Sequence, residues 1–123
     1  VRDYNKDLEI MLEELTEDEY DEEADLDEGS AGYKLLKELV GCVGKKNSAN
    51  SFYFCKKYEL SGQQFRRIIS AARRRGFPIC ANKYGYYMPE SFEDVHETIH
   101  SLNSRADAIF SVARGLEQYC NKY

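Results

Sequence analysis

The chain reads as a mainly α fold with one small β-hairpin, an α+β architecture that closes on a long helix. Three observations predict it. Ser61 and Gln64 form a capping box ahead of a clean apolar stripe, and two short apolar runs flank the polar stretch Ala81-Asn82-Lys83-Tyr84. After Pro89, apolar residues recur every three and four positions without a break. A length of 123 residues suits one domain with extensions rather than two independent cores.

Taken in order, Tyr4, Leu8, Met11, Leu12 and Leu15 recur at helical spacing, which predicts a short amphipathic helix with acids on its outer face. Residues 17–28 read EDEYDEEADLDE, a block of like charge whose self-repulsion disfavours compact structure and reads as a solvated linker. Residues 1–32 are therefore expected to form an acidic N-terminal arm. Ser30 suits the N-cap of the next helix, whose apolar face is Leu35, Leu36, Leu39, Val40 and Val43, with Gly41 and Gly44 at its end.

The aromatic segment Ser51–Tyr58 predicts a short second helix with Phe52, Phe54 and Cys55 inward and Lys56 and Lys57 outward, although its aromatic density also suits a strand. In the capped helix that follows, Phe65, Ile68, Ile69 and Ala72 form the buried stripe, and Gly76 stops it where a left-handed residue is needed. Pro78-Ile79-Cys80 and Gly85-Tyr86-Tyr87-Met88 then make the two arms of a hairpin. Helix, short helix, capped helix and hairpin is the order of a winged helix-turn-helix, expected over residues 33–88 with the hairpin as its wing.

Residues 89–123 change period. Phe92, Val95, Ile99, Leu102, Ala106, Ile109, Ala113, Leu116 and Cys120 alternate spacings of three and four, the repeat of a coiled-coil seam, with Ser91 as cap. One helix of nearly thirty residues has more apolar length than a small domain covers. A partner helix is expected, from a second copy in a homodimer or from residues 1–15. The other reading is two shorter helices that break near Asn103 and Ser104 and fold back on the body.

Net charge is -5, but the average hides a segregation. Residues 1–32 hold 14 acidic and 2 basic side chains, and the remainder 8 and 15. An acidic arm on a basic body points to a polyanion partner for the body. The outer face of the capped helix carries Gln63, Arg66, Arg67, Ser70, Arg73 and Arg74. That helix matches the width of the major groove of double-stranded DNA. Gln63, Gln64, Arg66 and Arg67 sit in its N-terminal half, where base edges are touched. Arg73, Arg74, Arg75, Lys56 and Lys57, with Lys83 on the wing, are candidate phosphate contacts. The competing reading is that these are solvated charges on a domain used for protein contacts.

The run LSGQQFRRIISAARRRGFPICANKYGYYMPES, followed by SLNSRADAIFSVARGLEQ, resembles small winged-helix proteins encoded by phages and prophages of Gram-positive bacteria. The resemblance spans roughly residues 50–120. It rests on the capped helix ending in Arg-Arg-Gly, Pro-Ile-Cys, the paired tyrosines after a glycine, and Ser-Arg-Ala in the long helix. It implies a DNA-binding module in replication or regulation, at work in the cytoplasm of a bacterial host, and lends no catalytic residues. The acidic arm lies outside it.

His96-Glu97-Thr98-Ile99-His100 spells HExxH, the pattern of a zinc site with a glutamate base. In the heptad register these residues flank the seam and face water, and Glu117 would lie about 25 Å along the same rod. A chance match is the better reading, so neither metal nor cofactor is expected. The acids between Asp18 and Glu28 lack the alternating ligand order of an EF-hand. With no phosphate loop, no nucleophile beside a base and no paired carboxylates in a pocket, an enzyme is not expected. Cys42, Cys55, Cys80 and Cys120 lie 13, 25 and 40 residues apart, spacings that suit free thiols better than zinc or redox pairs. No segment is apolar enough for a signal or membrane span, so a cytosolic protein is expected.

Two roles remain open for the arm. Folded over the basic face, it would restrain non-specific DNA binding. Alternatively Glu17, Asp18, Glu19, Asp21, Glu22, Glu23, Asp25 and Asp27 imitate a phosphate backbone and occupy the channel of a host nucleic-acid-binding protein, as phage-encoded anti-CRISPR proteins and other DNA mimics do.

Overall fold

A computed structural model describes residues 2–13 and 26–123. The chain is mainly helical: α1 (Tyr4–Glu13), α2 (Ala31–Leu39), α3 (Ser51–Lys57), α4 (Gly62–Arg74) and α5 (Phe92–Lys122) surround one antiparallel hairpin, β1 (Cys80–Asn82) and β2 (Gly85–Tyr87). Among the described residues no helix is long and apolar enough to cross a membrane.

The core is built from stripes that the helical period places on one face. Leu35, Leu36 and Leu39 of α2, Phe54 of α3, and Phe65, Ile68, Ile69, Ala71 and Ala72 of α4 are buried together with Phe77, Ile79 and Met88. Phe65 stacks on Phe54 at 5.9 Å and meets the Tyr86 ring edge-on at 5.0 Å, so α3, α4 and the hairpin share one aromatic joint. Phe52 is a correction to the expected inward set: it is 73 % exposed while Phe54, two positions on, is fully buried. Two residues advance a helix by about 200°, so both cannot face one core.

The N-terminal helix is also part of this core. Tyr4, Leu8 and Met11 are buried in the same cluster, as is Leu26, and the Tyr4 hydroxyl donates to the carbonyl of Pro89. Lys37 Nζ donates to Asn5 Oδ1 at 2.8 Å across α1 and α2. The first turns of the expected arm are thus a structural layer packed on α2 rather than a partner for α5. Deleting residues 1–28 would strip four core side chains, so truncation does not isolate the acidic segment's role. Glu17, Asp18, Glu19, Asp21, Glu22, Glu23 and Asp25 lie outside the described residues; Asp27 is exposed just before α2.

Local chemistry explains the helix starts. Ser30 Oγ accepts from Tyr33 N–H, Asn50 Oδ1 accepts from Tyr53 N–H, and the capping box at α4 is complete. Ser91 holds the N-cap position of α5, but its side chain makes no capping bond; instead Asp94 accepts from the Glu90 N–H at 3.0 Å. The hairpin pairs Cys80 with Tyr87, Ala81 with Tyr86 and Asn82 with Gly85, leaving Lys83 and Tyr84 as a two-residue tip.

On one flank of the hairpin, Ala49 and Tyr86 exchange both backbone hydrogen bonds at 2.8 and 3.0 Å, while Cys42 and Gly44 bond to Met88. This contact needs Gly85. Its φ is +147°, and a Cβ there would lie 2.5 Å from the backbone carbonyl of Ala49. Gly85→Ala is expected to cost about 2 kcal/mol or more from backbone strain and overlap combined, read as a lower urea midpoint. An unchanged midpoint would mean that this strand contact yields without cost.

α5 is a single helix, which overturns the alternative of a break near Asn103 and Ser104. Its first two turns dock on β1: Thr98 is its one buried residue, and Thr98 Oγ1 accepts from Ala81 N–H at 3.3 Å. Lys45 pairs with Glu97 at 2.8 Å and lies 3.7 Å from Asp94, tying the loop after α2 to the same turns. From Ile99 onward every residue is exposed.

Candidate functional site

The basic outer face of α4 follows from its amphipathic sequence. Burying Phe65, Ile68, Ile69 and Ala72 turns Gln63, Arg66, Ser70 and Arg74 to solvent, with Arg67 half-buried at the margin. No acidic residue occurs between Ser61 and Glu90, so α4 and the hairpin carry no carboxylate of their own. Gln64 is exposed, but its Oε1 accepts from Ser61 N–H at 2.8 Å. A bidentate contact by that amide would have to break the cap.

The expected site residues separate into two groups. Gln63, Arg66, Arg67, Ser70 and Arg74 share the α4 face, Lys83 stands exposed at the hairpin tip, and Lys56 is exposed on α3. Arg73 is drawn into the fold, and Lys57, though exposed, is held in an ion pair. Arg73 Nε donates to the Ile79 carbonyl at 2.9 Å, its guanidinium lies 6.0 Å from the Tyr86 ring centre, and burial pushes its pKa down. It fastens the hairpin to α4 and is poorly placed to reach a ligand. Arg75, at the C-cap of α4, is half-buried.

Lys57 forms an ion pair with Glu38 of α2, which also accepts from the Tyr58 hydroxyl. Burial pushes the Glu38 carboxyl up, but hydrogen bonds from Lys57, Tyr53 and Tyr58 outweigh it and hold the carboxyl below the ordinary range. Tyr58 is pushed up to about 12 by burial and by its bond to Glu38. A carboxyl lowered in the folded state contributes stability that is present above its unfolded pKa of about 4.3 and is lost as pH falls through the lower folded value. Glu38→Gln is expected to flatten the acid side of the stability profile, measured as urea midpoints from neutral pH down to the carboxylate range. An identical slope in both proteins would remove Glu38 from this role.

Sequence reasoning missed Tyr84. It is exposed beside Lys83, whose ammonium sits 5.0 Å from its ring centre, and its amide donates to Asn82 Oδ1. The signal was present in the turn itself, since the two residues between paired strands point away from the core. A polar and aromatic tip can present a cation and a flat ring together.

The remaining chemistry is bland. His96, Glu97 and His100 are exposed, Glu97 is engaged by Lys45, and no group of three or more His, Cys, Asp or Glu among the described residues could hold a metal ion. All four cysteines are free thiols; burial pushes those of Cys42 and Cys80 up, while Cys120 is exposed. An open concavity of about 980 Å³ lies between α1, Pro78 and the start of α5, and no residue of the basic α4 face lines it. No family model, curated protein or solved structure matches the chain.

Proposed function

We propose that the chain is a non-enzymatic winged-helix DNA-binding protein of the phage type its sequence resembles, acting in replication or transcription regulation. The observation that carries this reading is the acid-free α4, with Gln63, Arg66, Ser70 and Arg74 exposed on one face. The order α2, α3, α4 and hairpin supports it, as does the strand contact at Ala49, because these elements occur in that sequence in winged helices. In this reading α4 enters the major groove, Arg66 and Gln63 meet base edges, and Arg67, Arg74, Lys56 and Lys83 meet phosphates.

The test is a fluorescence anisotropy titration of the full chain against random duplex DNA at two salt concentrations. Four phosphate contacts predict a loss of roughly a hundredfold between about 50 and 200 mM salt. Salt-steep binding supports the reading. No binding at low salt removes it and favours the second reading, in which the segregated acids between Glu17 and Asp27 occupy a host protein's nucleic-acid channel.

A further inference from the structure

We infer that a second copy of this chain covers the exposed stretch of α5, with the two helices antiparallel and their two-fold axis level with Ser111. Beyond Thr98 every residue is exposed, and eight large apolar side chains lie between Ile99 and the C-cap Tyr123, each 38–85 % exposed. At roughly 100 Å² apiece, that is about the 800 Å² that each partner gives to a standard interface.

The sizes along the seam select the orientation. Positions of one heptad row are Ile99, Ala106, Ala113 and Cys120; those of the other are Leu102, Ile109, Leu116 and Tyr123. One row is small through its middle and the other is large throughout. A parallel pair sets each residue against its own copy, stacking alanine on alanine in alternation with two large side chains. An antiparallel pair sets one row against the other, so small faces large in the central layers, the condition for interdigitated packing.

An axis at that level places Ile109 against Ala113 of the second copy, Ala106 against Leu116, Leu102 against Cys120, and Ile99 against Tyr123, each met twice by symmetry. The flanks agree. Phe110 and Val112 each meet their own copy near the two-fold axis, Arg105 faces Tyr119, and Asn103 faces Glu117. The parallel pairing would instead set Val112 against Glu117 and Arg105 against Phe110. The proposed seam begins just after Thr98, the buried residue of α5.

The inference does not depend on DNA binding, although it has a consequence for it. The two Thr98 attachment points would stand about 39 Å apart along the coil, at 1.5 Å per residue. That is near the roughly 34–36 Å between half-sites one DNA turn apart, so under the function proposed above the preferred site is a pseudo-palindrome.

The test needs no DNA. Sedimentation of the unaltered chain at micromolar concentration is expected to give a dimer, and a monomer overturns the inference. Under mild oxidation the unaltered dimer is expected to stay uncrosslinked in non-reducing electrophoresis, because Cys120 faces Leu102. A covalent dimer that disappears in Cys120→Ser would show the parallel pairing and also overturn it. Leu102→Cys is expected to convert most of the chain to covalent dimer, and adding Cys120→Ser to abolish that product. A dimeric Leu102→Cys protein that fails to cross-link overturns the register.

Discussion

Under the proposed function, replacing Arg66, Arg67 and Arg74 together with alanine is expected to weaken duplex binding by roughly a hundredfold, since the base contact of Arg66 contributes about 1–3 kcal/mol and the phosphate contacts of Arg67 and Arg74 add their counterion release. The salt dependence should flatten in step, by about one unit of slope per phosphate contact removed. The buried stripe Phe65, Ile68, Ile69 and Ala72 is untouched, and alanine favours the helix. Arg73→Ala provides the contrast: it removes the bond to Ile79 and the cover over Tyr86, so it should lower the unfolding midpoint more than the affinity. If the triple variant bound duplex as tightly as the parent, the basic face of α4 would have no part in recognition.

Phe65→Ala is expected to have the largest effect on the fold. The ring is buried, stacked on Phe54 and met edge-on by Tyr86, so its removal opens a void where α3, α4 and the hairpin join. Substitutions of this kind cost about 3–5 kcal/mol, a large part of the roughly 5–15 kcal/mol that holds a domain together. A urea unfolding curve at neutral pH would show it. A cost below about 1 kcal/mol would mean that neighbouring side chains collapse into the space. Under the proposed function the substitution should also reduce duplex binding indirectly, by loosening the joint that holds the hairpin against α4.

Much of the helical framework was legible because its signals are local. Ser61 and Gln64 lie three residues apart, the α4 stripe repeats within two turns, and the α5 seam stays in register over its whole length. The errors arose where distant partners decide a residue's position. Charge counting treated residues 1–32 as an arm, whereas Tyr4, Leu8 and Met11 answer an apolar face on α2 that lies more than twenty residues away. Lys57 was counted as available cation, but Glu38 is nineteen residues earlier and one helix across.

Arg73 differs from these, since its environment was open to a closer reading. It lies four residues after Ile69 and eight after Phe65, on the flank of the buried stripe, while Arg74 falls one step further toward solvent. A residue at that boundary is inclined to bend inward if a carbonyl is near. The carbonyl that receives it, from Ile79, belongs to a hairpin whose approach only the folded chain displays.

Short hairpins usually leave their outer backbone groups available as templates on which another chain can add a strand. Here Ala81 and Tyr86 face each other without exchanging amide bonds: Tyr86 turns its N–H to Ala49, and Ala81 turns its N–H to the Thr98 hydroxyl. A loop strand closes one border and a helix side chain closes the other. With both of these outer amides engaged inside the chain, the hairpin offers fewer free groups on which a sheet between molecules could grow.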